Sequence, residues 1–319
     1  MNTVIKNYIK KYTTELNLFL FLQGHKERLA AFRIVLCGTL FYIACYRQLV
    51  VEQFGENALI PRVSAFAIFP DYYKPLIQLF FWPDSMAFIV HFIYIILLLA
   101  ATLGILNRPL LFLTWIIAQG FIQRNYSVLF GADVIGTLLL FYLAFTNCQS
   151  CYTIKDLFSP MKSSSIRQMT QHDPNRWGDQ ISCLFFRLLQ IQIFTIYMYT
   201  GFEKLKGTTW WDGTALWTVL VNPQFTGFDL VFLKSFPLFF AVGTFVTIIF
   251  EVYFPVMVAF RKTRYLWLGM GILFHLQIGI LLSLMSFSLV MVSTYFLFLD
   301  RLDLIRSINF VKQKIQSFR

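Results

Sequence analysis

Charged residues are scarce in this sequence. Asp, Glu, Lys and Arg together account for 13% of the 319 residues, whereas 57% of the residues are apolar and 18% are aromatic. A soluble globular domain carries about 25% charged residues. The composition therefore argues against a soluble domain and predicts a polytopic membrane protein of the all-α class.

Sequence motifs of several enzyme classes are also absent. There is no Walker motif, no dinucleotide-binding glycine fingerprint, no His-Glu-x-x-His and no internal repeat. One close cysteine pair, Cys148 and Cys151, has no second pair or histidine partner at zinc spacing. We therefore expect no metal. We also expect little chemistry at the pair, because the topology derived below puts it in the cytoplasm, where disulfides are uncommon.

Basic residues outnumber acidic ones by 27 to 16, which gives a net charge of +11. Such an excess can indicate a nucleic-acid-binding protein. Here the basic residues cluster in short loops between apolar runs, an arrangement that membrane topology explains better. The expected partner is therefore the lipid bilayer and not nucleic acid.

The apolar runs divide into about eight predicted transmembrane helices. They cover about 29–46, 86–106, 110–123, 129–147, 183–202, 238–260 and two parts of the run 265–299. That last run is too long for one crossing, since about 20 residues suffice, and Ser283, Ser286 and Ser288 mark the expected turn. Residues 1–27 are predicted to form an amphipathic helix in the membrane interface, because apolar residues occupy one helical face and lysines the others.

The distribution of basic residues between the two sides of the membrane tests this division. With eight spans, 19 of the 27 Lys and Arg residues fall on the side of the termini, seven fall on the other side, and Arg33 lies within the first span. This asymmetry obeys the positive-inside rule and predicts a multi-pass cell-membrane protein with both termini in the cytoplasm. Residues 301–319 then form a basic cytoplasmic tail, and Lys204 lies toward the extracytoplasmic face.

Gln190, Tyr197 and Lys204 are seven residues apart along the fifth span, so they share one helical face. We expect this polar face to point away from lipid. In a structural interpretation it contacts other helices, Lys204 reaches the membrane interface, and tryptophans such as Trp210 and Trp211 form the aromatic belt. In a functional interpretation it belongs to a site, because ionisable residues at membrane depth are costly.

Eight ionisable residues in or beside the spans are candidates for chemistry. They are Arg33, His91, Arg124, Asp133, Glu203, Lys204, Glu251 and His275. We expect Lys204 and His275 to line one cavity that opens to the outer half of the bilayer. A desolvated lysine has a lowered pKa and can serve as a base, and Glu203 would oppose this effect if it faced Lys204. A structural ion pair, for example between Lys204 and Asp133, is the alternative.

Three segments of the chain resemble the horizontally transferred transmembrane (HTTM) family of bacteria. They are Arg28-Leu-Ala-Ala-Phe-Arg33, Phe130-Gly-Ala-Asp133, and Gly201-Phe-Glu-Lys-Leu with the following Trp210-Trp-Asp-Gly-Thr-Ala-Leu-Trp217. The resemblance covers nearly the whole chain, and residues 28–300 are predicted to be the HTTM membrane domain. This family shares its membrane domain with the vitamin K-dependent gamma-carboxylase.

The resemblance implies roles for two residues. Lys204 falls where the carboxylase has the lysine thought to deprotonate vitamin K hydroquinone, and His275 matches a histidine of the corresponding span. These two are the expected catalytic residues, and a quinol of the vitamin K type is the implied cosubstrate. On the extracytoplasmic side we expect six residues to bind the substrate: Tyr197, Glu203, Trp210, Trp211, Asp133 and Arg124.

Two functions remain as hypotheses. One is a carboxylase-like membrane enzyme without the lumenal substrate domain, which uses a quinol- or lipid-linked cosubstrate to modify or mature a secreted peptide. The other is a non-catalytic membrane partner that presents an exported peptide or confers immunity to it. Other HTTM members resemble maturation factors for secreted bacterial peptides, so the expected partner is a secreted peptide or a small membrane protein. Transport has little support, because no inverted repeat or broken helix pair is evident.

Overall fold

The computed structural model describes residues 25–47, 61–67, 69–80, 82–124, 129–158, 177–224 and 230–316, together with Glu15 and Leu20. Every regular element in these ranges is a helix, so the predicted all-α class is confirmed. The predicted interfacial helix over 1–27 falls almost wholly outside the described residues. The segment 301–319, predicted as a basic tail, is helical from Arg301 to Gln316.

The described helices follow one another along the chain in this order. They are α1 (Lys26–Tyr46), α2 (Arg62–Ala67), α3 (Lys74–Gln78), α4 (Asp84–Thr102), α5 (Arg108–Arg124), α6 (Gly131–Ala144), α7 (Ile154–Phe158), α8 (Trp177–Lys204), α9 (Thr208–Trp211), α10 (Ala215–Leu220), α11 (Pro237–Ala259), α12 (Arg261–Leu281), α13 (Met285–Ser293) and α14 (Arg301–Gln316). Short 3₁₀ helices cover Cys148–Ser150, Val231–Ser235 and Thr294–Leu297.

Five of these helices, namely α1, α4, α8, α11 and α12, are long and apolar enough to cross a membrane. A sixth span results if α6 and the following segment Cys148–Asp156, bent by 66°, are counted as one. Each of the eight predicted spans coincides with a described helix, but α5 has only 17 residues and α6 only 14. At 1.5 Å per residue, α5 covers roughly 25 Å of an apolar core about 30 Å thick. The protein is therefore multi-pass, and the count of eight stays a prediction.

The chain divides into two compact units. The first comprises residues 1–129, 136–189 and 300–319. Within it α1 packs against α4, and α4 packs against α5. The buried Arg33 of α1 donates from Nη2 to the carbonyl oxygen of Tyr152 at 2.7 Å. Gly104, in the left-handed region at φ +74°, lies so close to Arg33 Nη1 that a Cβ would collide with it.

The second unit comprises residues 130–135 and 190–299. Here α11 packs against both α12 and α10, and α12 packs against α13. Its core is aromatic: the Tyr197 ring stacks on Phe254 with centroids 3.8 Å apart, and Phe250 meets Tyr197 edge-on. The indole Nε1 of Trp267 donates to the carbonyl oxygen of Phe250 at 3.1 Å, which ties α12 to α11.

Two sequence features shape the helices of the second unit. The predicted turn between the last two spans is found at Ser283, which takes φ +56° after α12 ends at Leu281, whereas Ser286 and Ser288 lie inside α13. Pro255 lies inside α11. Proline has no backbone N–H, so the carbonyl of Glu251, four residues earlier, lacks its usual helical partner.

Candidate functional site

The polar face of α8 contacts protein along its length. Gln190 Nε2 donates to the carbonyl oxygen of Leu297 at 2.9 Å, and the Tyr197 hydroxyl hydrogen-bonds other side chains. Lys204 Nζ donates to Glu251 Oε2 on α11 at 2.6 Å. The expectation that this face points away from lipid is thus confirmed. These contacts fit the interpretation in which the polar face packs against other helices, and they are equally compatible with a functional site on that face.

Lys204 and Glu251 form an ion pair at the end of α8. The Glu251 side chain is 8% exposed and that of Lys204 is 21% exposed, so the amine remains accessible from one side. Lys204 Nζ also lies 5.3 Å from the ring centroid of Trp210, within the range of a cation–π contact. The counter-charge beside Lys204 is therefore Glu251, on another helix, and not the adjacent Glu203 considered from the sequence.

A glycine allows this close approach of α8 and α11. A Cβ on Gly201, one turn before Lys204, would lie 2.8 Å from Val252 Cγ2 and 3.0 Å from the Val252 backbone nitrogen. Real Cβ atoms almost never come within 3.0 Å of another heavy atom. Gly201 therefore fixes the spacing of the two helices beside the ion pair.

Two of the predicted substrate-binding residues lie at the surface. Glu203 Oε1 accepts from Lys206 Nζ at 2.6 Å, and both side chains are well exposed. The Glu203 carboxylate raises the pKa of Lys206, through a hydrogen bond first and its charge second. Trp211 is 62% exposed and its Nε1 donates to the carbonyl oxygen of Leu205 at 2.7 Å. Their roles in binding stay predictions.

Tyr197 and His275 are brought together in a buried hydrogen-bonded cluster. The Tyr197 hydroxyl lies 2.7 Å from His275 Nε2 and 2.6 Å from the Tyr295 hydroxyl. His275 Nδ1 is buried and has no hydrogen-bond partner among the described residues. Gly271 makes room for Tyr295, since a Cβ there would collide with the tyrosine hydroxyl. We refer to Tyr197, His275 and Tyr295 as the tyrosine–histidine cluster.

A large apolar cavity adjoins this cluster. It has a volume of about 800 Å³ and lies between the first half of α11 and the second half of α12, with Leu216 of α10 in its wall. Phe250 and Phe274 line the cavity, and Phe274 also contacts the His275 ring at 5.3 Å between centroids. Neither Lys204 nor His275 lines this cavity. The prediction that those two residues share a cavity therefore stays a prediction.

The tryptophan-rich loop after α8 is anchored on α11 through one threonine. The buried Thr244 hydroxyl donates to the carbonyl oxygen of Gly213 at 3.2 Å and accepts from the backbone N–H of Leu216 at 3.1 Å. Asp212 orders the turn by accepting from the Thr214 hydroxyl and N–H, and these bonds lower the pKa of its carboxyl. The segment 207–220 is therefore a fixed part of the second unit.

The remaining two predicted site residues make contacts that stabilise local structure. Asp133 Oδ2 accepts from the backbone N–H of Phe130 at 3.0 Å, at the start of α6. Arg124, in the first unit, is 1% exposed and donates to the carbonyl oxygen of Trp82 and to Asp84 Oδ1. These contacts account for both residues without a substrate, and the substrate role is not tested by them.

The other sequence candidates lie in the first unit. His91 Nε2 hydrogen-bonds the carbonyl oxygen of Ala44 at 3.0 Å, which joins α4 to α1. Cys148 and Cys151 are buried free thiols. Among the described residues, no three His, Cys, Asp or Glu side chains come together as metal ligands would.

Sequence reasoning missed two residues of the candidate site. Glu251 was a candidate but was not assigned as the partner of Lys204, although a carboxylate inside a 23-residue apolar helix requires one. Tyr295 was missed altogether, since nothing distinguishes it among 15 tyrosines. In the adjoining cavity, Gln277 also received no role, although it lies two positions after His275.

These features define a multi-pass α-helical membrane protein with polar clusters buried between its helices. Its sequence matches the family model described as HTTM domain over residues 23–301, and the chain belongs to the HTTM family. It is also similar to the sporulation-delaying protein SdpB of Bacillus subtilis (strain 168), with 29% identity over 117 residues. That alignment covers 35% of this chain and 36% of the relative. No solved structure matches the chain significantly.

Proposed function

We propose that this chain is a membrane enzyme that acts at the extracytoplasmic face, with Lys204 as its base, to modify or mature a secreted peptide. The observation that carries the proposal is the Lys204–Glu251 pair, which is largely buried yet reachable from one side. The similarity to a sporulation-delaying protein supports a secreted peptide as the substrate. The topology argued from basic residues supports the extracytoplasmic face.

Two arrangements of the proton shared by Lys204 and Glu251 are consistent with the proposal. In one, Lys204 is an ammonium and Glu251 a carboxylate; in the other, both groups are neutral because the proton resides on Glu251. Neither form leaves an isolated charge in apolar surroundings, which would be costly. In the proposed mechanism Lys204 passes its proton to Glu251 and then accepts a proton from a substrate hydroxyl.

A quinol-type cosubstrate belongs to this proposal and would enter from the bilayer. Such a group supplies reducing electrons and acidic hydroxyl protons. The chain offers an apolar cavity of about 800 Å³, within the range of about 300–1,000 Å³ that small-molecule sites occupy. Lys204 does not line it, so the cavity would hold the apolar part of the cosubstrate and does not itself account for the proton transfer. Phe250 and Phe274 would contact a flat ring there, and Gln277 would meet a polar substituent.

Substitution of Lys204 tests the proposal. Lys204→Arg keeps the charge but cannot give up a proton at neutral pH, so it should abolish peptide maturation as fully as Lys204→Ala. Peptides in the culture medium should be compared by mass spectrometry between a deletion strain and strains carrying each variant at matched membrane levels. Lys206→Arg and Lys206→Ala are the matched controls, because Lys206 forms a similar but exposed pair with Glu203. Both controls should mature the peptide normally.

A second candidate function is presentation of an exported peptide, or immunity to it, without catalysis. The same ion pair favours it, because a lysine held at 2.6 Å by a carboxylate on another helix also serves as a structural cross-link. Near-normal maturation with Lys204→Arg would exclude the base and leave this function. The exchange of Lys204→Glu with Glu251→Lys separates the two further. It restores an ion pair and so should rescue presentation, but it moves the amine and should not rescue catalysis.

A further inference from the structure

Arg33 carries a buried charge that the proposed function does not use. It is 1% exposed and lies two turns inside α1, roughly 10 Å from the start of the helix. Its Nη2 donates to the carbonyl oxygen of Tyr152, but its Nε and Nη1 have no hydrogen-bond partner among the described residues. A charge buried without a counter-charge is costly, so an anion nearby would stabilise Arg33.

The groups around the guanidinium do not supply a negative charge by direct contact. Arg33 interacts electrostatically with Cys148 and Cys151, which are free thiols. Thiols are mostly uncharged at neutral pH. Tyr152 offers only its carbonyl dipole, which accepts from one of the guanidinium N–H groups. Within the described part of the first unit, the charge of Arg33 is therefore not neutralised by an ion pair.

A small polar cavity of the first unit lies beside Arg33. It has a volume of about 290 Å³, and Gly104 and Thr153 form part of its wall. A Cβ on Gly104 would lie 2.9 Å from Arg33 Cζ and 3.0 Å from Thr153 Cγ2. Arg33 does not itself line the cavity, so its guanidinium lies against these two wall residues from behind. The charge still acts inside the cavity, because protein screens charge less than water does.

The polar side chains of the wall suit an oxyanion. Lys155 lines the cavity and is exposed, so it adds a second positive charge. Gln149 Oε1 accepts from the adjacent thiol at 3.6 Å, which leaves the N–H groups of its amide for a ligand. The wall also contains Asp156, whose Oδ2 accepts from the Thr153 N–H at 2.8 Å and the Thr153 hydroxyl at 3.1 Å. With Arg33 behind the wall, positive charge prevails around the cavity.

We infer that this cavity binds a phosphate group, which Lys155 and Gln149 contact and which the charge of Arg33 attracts from behind Gly104. By the predicted topology the cavity opens toward the cytoplasm. The phosphate group then belongs either to a soluble phosphate compound or to an anionic phospholipid of the inner leaflet. The inference does not rest on the proposed function, since neither the site nor its test involves Lys204 or a peptide.

Thermal unfolding of the full chain measures this binding. The chain is purified into nanodiscs of phosphatidylcholine, which has no net charge, and inorganic phosphate is exchanged for chloride at constant ionic strength. A ligand that binds the folded state raises the unfolding midpoint once its concentration exceeds Kd. The wild-type midpoint should therefore rise with the logarithm of the phosphate concentration, and the curve gives Kd.

Variants at the wall and behind it assign the effect to this cavity. Lys155→Ala should weaken phosphate binding by roughly tenfold, the effect of losing one charge at close range in a partly exposed site. Lys74→Ala is the matched control, because Lys74 also belongs to the first unit but does not line the cavity, and it should bind as wild type. Arg33→Met removes the charge behind the wall and should also weaken binding by roughly tenfold.

Gln149→Leu provides a test should Arg33→Met fail to fold. Gln149 is only half-buried, and the variant removes the amide while keeping a side chain of similar size. It should bind phosphate roughly two- to tenfold more weakly, the equivalent of one hydrogen bond.

Nanodiscs that also contain phosphatidylglycerol, measured in chloride, identify the source of the phosphate group. A midpoint raised by this lipid and not by inorganic phosphate, with the rise reduced in Lys155→Ala, assigns the site to a lipid head group. A rise with inorganic phosphate in phosphatidylcholine assigns it to a soluble compound. The inference is overturned if neither raises the midpoint. It is also overturned if the wild-type chain, Lys155→Ala and Lys74→Ala shift equally, because phosphate stabilises proteins in general.

Discussion

Gly201 is the residue on which the geometry around Lys204 depends. It precedes Lys204 by one turn of α8 and lies directly against the backbone of Val252 on α11. The neighbouring atoms include a backbone nitrogen, which cannot rotate away as a side chain would. A side chain at position 201 would therefore press against α11 next to the contact between Lys204 and Glu251.

We expect Gly201→Ala to lower the free energy of unfolding by about 1–3 kcal/mol, the usual cost of overpacking. Gly269→Ala is the matched control, because Gly269 is also helical and a Cβ there meets nothing within 4 Å. The control should be neutral, or more stable by up to about 1 kcal/mol, since alanine is the better helix former. Thermal unfolding in detergent measures both. Equal shifts for the two variants would refute the packing argument.

Individual residues also show how much of the candidate site the sequence could predict. The seven-residue spacing of Gln190, Tyr197 and Lys204 correctly predicted a face turned toward protein, because helical periodicity is a local property. The partners were not predictable in the same way. Tyr197 meets Tyr295, 98 positions away, and Lys204 meets Glu251, 47 positions away. Such pairs depend on where helices cross, and the close crossing at Gly201 has no periodic signal.

At the scale of elements, the loop 207–220 packs against α11 and is part of the second unit. Thr244 holds Gly213 and Leu216, in the middle of this loop, by one donated and one accepted hydrogen bond. The turn between them requires Gly213, which has φ +79° and whose Cβ would lie 2.9 Å from Ala241 Cβ. The Asp-Gly-Thr part of the motif, residues 212–214, is therefore explained by turn geometry and close packing, independently of any substrate.

Thr244→Val should release this loop while preserving side-chain volume. It removes both hydrogen bonds and leaves the part-buried N–H of Leu216 without this partner, at a cost of about 1–3 kcal/mol. Limited proteolysis should then cut within 207–220 faster than in the wild-type chain. Thr247→Val is the control, because Thr247 bonds only within its own helix, and its cleavage should be unchanged. Identical cleavage of the two variants would show that Thr244 is not the anchor.

For the whole molecule, composition and apolar run lengths correctly predicted an all-helical multi-pass protein. The positions of the helices were also predictable, including the serine turn near Ser283. The number of crossings was not settled by run length, because α5, α6 and α13 are each shorter than a typical span. Short helices can cross only where the bilayer or the neighbouring protein accommodates them.

The orientation of the whole chain in the membrane can be tested directly. With eight spans and cytoplasmic termini, a cysteine introduced as Gln224→Cys should react with a membrane-impermeant maleimide in intact cells. Thr170→Cys should react only after the cells are opened, since it lies in the segment with the basic excess. The wild-type chain reports the background from its five native cysteines. Labelling of position 170 but not 224 from outside would invert the predicted orientation.

Pro255 has a mechanical consequence for α11. Because Pro255 has no N–H, the turn of α11 that begins with Glu251 lacks one backbone hydrogen bond. This turn is therefore less stiff than the turns before it. A bend there would move the Glu251 carboxylate together with its backbone, whereas in a rigid helix only side-chain rotation is available. We therefore expect any bend of α11 to occur at this turn, where it would shift Glu251 relative to Lys204 on α8.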